Sequence, residues 1–152
     1  MYSRQGVQAY RRNEVSANVH PVKLVHMMYE RVLTHLRFAE EAIGEGDVRK
    51  RGENLSKAIA LIAELNAAVN SEDKSEAASF LRGLYGAILV ELPQASVNND
   101  VEILRQAGRY ISELKKVWEE TAMRENGLDE RQSEAMQPSS EAERVAPLSV
   151  SI

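Results

Sequence analysis

Between Pro21 and Ile43 the apolar residues Leu24, Met28, Val32, Leu36, Ala39 and Ile43 recur every three or four positions. That period belongs to one face of an α-helix and does not fit a strand, whose sides alternate every second residue. Three further segments repeat the pattern. The second runs from Val48 to about Asn70 with Leu55, Ile59, Ile62 and Val69, and a neighbouring row of Ala58, Leu61 and Leu65. The third carries Ala77, Leu81, Leu84, Ile88 and Leu92, and the fourth carries Val101, Leu104, Gly108, Ile111, Leu114 and Trp118 before fading near Arg124.

The punctuation agrees with the period. Pro21 suits a first helical turn, where a missing N–H costs nothing. Gly44 and Gly46 stop the first segment, and Asp47 is placed to cap the second. Ser71-Glu72-Asp73 breaks the chain before the third, and Asn98-Asn99-Asp100 before the fourth. Pro93 is expected to kink or loosen the last turn of the third helix. Helices of ~23 residues are ~35 Å long at 1.5 Å per residue. Short connections make successive helices antiparallel, so the fold class is all-α, an up-down four-helix bundle. The expected division is an N-terminal segment over 1–19, a bundle over 20–124 and a flexible tail over 125–152. The tail holds Pro138, Pro147, serines and scattered charges, with little apolar content before its last few residues.

Composition narrows function by exclusion. Net charge is −4, which disfavours a nucleic-acid surface. Arg11-Arg12 and Arg49-Lys50-Arg51 are too short to reverse that and read as solvated surface. No apolar run is long enough for a membrane span, and no secretion signal is visible. Cysteine is absent, so thiol and disulfide chemistry are excluded and a reducing cytosol fits. Bundles that hold paired metals use Glu-x-x-His, but the residues three before His20, His26 and His35 are Ala17, Lys23 and Val32. His26 and His35, nine residues apart, fall on opposite helix faces; His26 and Glu30 at i, i+4 do not make a metal site. There is no nucleophile elbow, phosphate loop or dinucleotide fingerprint. No enzyme, cofactor or metal is expected.

The informative stretch is LSKAIALIAELNAAV, residues 55–69, whose only charges are Lys57 and Glu64 on one side. Its apolar arc approaches half the circumference, wider than the ~100° stripe a bundle helix needs. Two readings fit: a central, deeply packed helix, or one wall of a groove for a partner's apolar segment. In the groove reading Leu55, Ala58, Ile59, Ile62 and Leu65 form one wall, and Phe80, Leu84, Tyr85 and Ile88 of the third helix form the other. The opening MYSRQGVQAY then has a use. Val7 and Tyr10, one helical turn apart, would cover the groove as an intramolecular lid; otherwise the segment is an idle start.

At this point the chain resembles a known family, the flagellar export chaperones of the FliS type. The resemblance rests on Met1, Tyr2, Gly6, Ala9 and Tyr10 at the start, and on GDVRKRGENLSKAIALI at 46–62. It continues in Leu84-Tyr85, in Leu92…Ala95…Asp100 and in Glu113-Leu114…Trp118, covering roughly residues 1–122. It implies a cytosolic four-helix chaperone without cofactor that binds the disordered C-terminal segment of flagellin and prevents its premature assembly. It also implies delivery to a component of the flagellar type III export gate, with the N-terminal segment lying over the binding surface. The chain is expected to be a monomer or weak dimer without membrane insertion. A non-catalytic bundle that dimerises through the same apolar face is the alternative.

Overall fold

The computed structural model describes residues 18–128. They form α1 (Pro21–Glu45), α2 (Val48–Ala68), α3 (Glu76–Asn98) and α4 (Val101–Trp118), with α4 widening into a π-turn over Glu119–Met123. There are no strands among the described residues.

Local chemistry sets the ends. His20 Nδ1 accepts the Val22 N–H at 3.1 Å, directly before the helix-opening Pro21. Gly46 adopts a left-handed φ of 70°, its N–H reaches the Ile43 carbonyl, and the Asp47 N–H bonds the Ala42 carbonyl at 2.9 Å. This is the Schellman arrangement, which occupies carbonyls that would otherwise be orphaned at a helix end. The stop therefore falls at Gly46, where positive φ is required, and Gly44 remains helical. Asp47 also starts α2, since its Oδ1 accepts the Lys50 N–H at 3.0 Å. Asn99, with φ of 53°, closes α3, and Asp100 opens α4 by accepting the Glu102 N–H at 3.0 Å. Asn is one of the few residues other than glycine that enter this region readily.

Pro93 does not end the third helix. Helix α3 passes through it and continues to Asn98. The proline removes one backbone donor, but the apolar residues Leu92 and Ala95 on either side are buried in the core. Tertiary packing thus holds the turn that local propensity would loosen.

Cross-helix contacts fix the topology. Lys50 pairs with Glu41, and His35 Nδ1 lies 3.0 Å from Asn54 Oδ1, so α1 and α2 run antiparallel. Arg82 donates to the carbonyl of Asn70, joining the start of α3 to the end of α2. The Trp118 Nε1–H donates to the Val22 carbonyl at 2.8 Å, and Arg105 pairs with Glu40, so α4 returns antiparallel along α1. His26 adds a second tie at the same end, with Nε2 3.0 Å from Glu119 Oε1 and Nδ1 3.2 Å from Glu30 Oε1. In the resulting ring α1 lies against α2 and α4, and α3 against the same two helices.

The interior is apolar, with Leu24, Val32, Ile62, Leu65, Leu92, Leu104 and Ile111 almost wholly buried. Two tyrosines cross its diagonal. Tyr29 of α1 and Tyr85 of α3 are buried, and their hydroxyls meet at 2.7 Å. A buried hydroxyl that loses its partner costs about 1–3 kcal/mol. Tyr85→Phe is therefore expected to lower stability by about 1–2 kcal/mol. A double-mutant cycle with Tyr29→Phe, read by urea denaturation, should return a coupling of about 1 kcal/mol.

Candidate partner-binding surface

Helix α3 is the anomaly of the bundle. Across its 23 residues only Glu76, Arg82 and Glu91 are charged. Its buried row of Ala78, Leu81, Tyr85, Ile88, Leu92 and Ala95 accounts for one face. The other faces are also poor in charge. Phe80 is 63% exposed, Val90 74% and Val97 76%, with Gly83, Ala87 and Gln94 exposed between them. A surface helix ordinarily turns charged residues outward, and an apolar circumference marks a helix with something more to cover.

Beside α3 the bundle opens. A cleft of roughly 300 Å³ lies between α3 and α4, lined by Phe80, Leu84 and Ile88 from one helix and Ile103, Ala107 and Tyr110 from the other. Its only charged lining residue is Glu91. The short side chains of Ala87 and Ala107 line the cleft where larger ones would fill it, so contacts that close-packed interiors normally make are missing here. Tyr110 stands at the rim, half exposed, and its hydroxyl accepts from Gln106 Nε2 at 3.1 Å. Val117, further along α4, is also exposed. The cleft thus presents aliphatic and aromatic surface with hydroxyl and amide groups at one edge. Such a lining suits an apolar peptide segment. Among the described residues no cluster of His, Cys, Asp or Glu could hold a metal ion. No described helix is long and apolar enough to cross a membrane.

The residues singled out from the sequence separate into four groups. Leu55, Ala58, Ile62 and Leu65 of α2 are buried in the core, and Ile59 is half-buried beside it. Tyr85 is buried and bonded to Tyr29. Phe80, Leu84 and Ile88 meet in the cleft, with α4 as their opposite wall. Val7 and Tyr10 lie outside the described residues. The outward side of α2 carries Ser56, Ala60, Ala63 and Ala67, all exposed and small.

Sequence reasoning missed the α4 wall. The signal was present as a second row, Ile103, Tyr110 and Val117, each one residue before the buried Leu104, Ile111 and Trp118. Such a row, repeating every seven residues, flanks the core stripe and faces a neighbour. The charge count of α3 was equally legible.

The sequence from residue 3 to residue 126 matches the family model described as flagellar protein FliS. The chain belongs to the FliS family. It is 31% identical over 124 residues to the flagellar secretion chaperone FliS of Salmonella typhimurium, covering 79% of this chain and 92% of that protein. It is 30% identical over 117 residues to the namesake of Bacillus subtilis, covering 77% and 86%. Similarity extends to the flagellar secretion chaperone FliSB of Pseudomonas aeruginosa, at 27% identity and 97% of that protein. The FliS match spans all four helices and stops just short of Gly127, so residues 127–152 fall beyond it.

Proposed function

We propose that this FliS-family chain is a stoichiometric export chaperone that binds the disordered C-terminal segment of flagellin. It masks that segment against premature polymerisation in the cytosol and helps deliver the subunit to the flagellar type III export apparatus. The observation that carries this reading is α3, a helix nearly free of charge that presents exposed apolar residues and one wall of an open cleft. The names of its relatives, flagellar secretion chaperones, support the same role.

Binding is driven by burial of the client's apolar side chains, at about 25 cal/mol per Å² of apolar surface removed from water. Ordering a flexible client opposes it by several kcal/mol, so an extended contact surface is needed. Phe80, Leu84 and Ile88 reach the client directly. The α2 residues Leu55, Ala58, Ile59, Ile62 and Leu65 support the opposite side of α3 through the core, and Tyr85 holds α3 in place. Residues 1–19 act as a lid over the α2–α3 side of this surface through Val7 and Tyr10, and leave when the client arrives.

Calorimetry with a flagellin C-terminal peptide tests the reading. Saturable binding at tens of micromolar or tighter is expected, which corresponds to about −6 kcal/mol or better. Absence of saturation in that range overturns it. Deleting residues 1–12 should raise the fluorescence of a dye that binds apolar surface and change peptide affinity; no change in either marks the segment as idle. The exposed valines of α3 favour one other reading, a bundle that dimerises through this face. A concentration-independent dimer in sedimentation that ignores the peptide would establish it.

A further inference from the structure

The last eight residues of the sequence, Val145-Ala-Pro-Leu-Ser-Val-Ser-Ile152, have no charged side chain, whereas residues 129–144 hold five carboxylates and two arginines. The FliS match does not reach this stretch. Its pattern is specific. Pro147 biases Ala146 toward extended backbone. From Leu148 onward apolar residues alternate with serines, so Leu148, Val150 and Ile152 would share one side of an extended chain. The segment is an apolar strap by composition, joined to the bundle by a charged, proline-containing connection.

The cleft has the matching chemistry. Its lining is mostly aliphatic and aromatic, with Glu91 as the single charge, and it is partly open to the outside. Reach is sufficient. The described residues end at Leu128, whose N–H bonds the Met123 carbonyl at 2.8 Å just past α4. Travelling back from there along residues 101–125, which are helical throughout, requires about 38 Å at 1.5 Å per residue. Sixteen connecting residues, 129–144, span up to about 53 Å when extended. The strap therefore arrives beside Tyr110, Leu84 and Ile103 with slack remaining. Its antiparallel return along α4 also carries the acidic connection past Arg109 and Lys116, both exposed on the outer side of that helix.

We propose that residues 145–152 of this chain seat in the α3–α4 cleft as an extended apolar strap folded back over its own bundle. The strap covers surface that the helices leave open, and any client entering the cleft displaces it. Its occupation of the cleft does not depend on what the client is.

The absence of cysteine makes the test direct. Ser151→Cys introduces one attachment point in the full chain for a nitroxide label, and backbone amide signals are compared with the label oxidised and reduced. The strap predicts that the amides of Leu84, Ile88, Ile103 and Tyr110 lose more than half their intensity, while those of Lys57 and Ala63 on the outside of α2 keep theirs. Leu148→Asp with Ile152→Asp in the same labelled chain should restore the cleft signals to at least nine-tenths. Three results overturn the proposal: no loss in the cleft, loss centred on α2, or loss that survives the two aspartates. Mixing labelled unenriched chain with unlabelled isotope-enriched chain separates the remaining occupant. Signal loss at the cleft in that mixture would assign it to the tail of a second copy and also overturn the proposal.

Discussion

Ile62→Asp is expected to abolish the folded bundle. Ile62 is 0% exposed at the centre of α2 and packs within the main core. An ionised carboxylate there has no cation to pair with and no water to solvate it, a cost of several kcal/mol even after the group shifts toward its neutral form. Loss of the isoleucine's own packing adds about 2–5 kcal/mol. A domain of this size is stable by only about 5–15 kcal/mol in total, so the helical circular-dichroism signal should fall to a small fraction of the parent's at 25 °C. Lys57→Asp on the exposed side of the same helix should change stability by about 0.5 kcal/mol or less. Retention of a cooperative unfolding transition by Ile62→Asp would contradict this placement of the core.

Phe80→Glu combined with Tyr110→Glu is expected to do the reverse, sparing the fold and removing client binding. Phe80 is 63% exposed and Tyr110 41%, so neither substitution buries a charge in the free protein. Both stand at the cleft, and a bound apolar segment would have to desolvate the new carboxylates. Aromatic residues that become buried on binding commonly contribute about 1–2 kcal/mol or more each. The doubly substituted chain should therefore bind a flagellin C-terminal peptide at least ~30-fold more weakly by calorimetry, with unchanged helical signal. Affinity within threefold of the parent would place the client elsewhere on the bundle.

These two variants also show which parts of the molecule the sequence made legible. The four helices were readable because a 3.6-residue period and its caps are local. Asp47 and Asp100 act as expected, each accepting an N–H two or three residues on. The depth of Ile62 was not readable. A wide apolar arc on α2 is compatible with a wall of a groove or with two packed neighbours, and only the position of α1 and α3 decides between them. The same limit applied to Pro93. Its local effect argues for a kinked or loosened last turn, whereas burial of Leu92 and Ala95 accompanies a helix that runs on to Asn98. The cleft was half legible. Phe80, Leu84 and Ile88 were singled out from α3, but assigning them a partner helix required knowing that α3 touches α4 as well as α2. The row Ile103, Tyr110 and Val117 carried that information, hidden because it runs beside a stronger stripe.

The hydroxyl contact between Tyr29 and Tyr85 constrains how the molecule can open. It bolts α3 to α1 through the middle, so α3 is the fixed jamb of the cleft and α4 is the leaf. That leaf has a short hinge at Asn99–Asp100 and a latch at the far end, where Trp118 grips the Val22 carbonyl. A bulky occupant has to shift α4 against α1, where Leu104 and Ile111 are buried. The width available to a guest thereby depends on how α4 is held against α1, by Trp118 at one end and the Arg105–Glu40 pair near the other, none of which lines the opening.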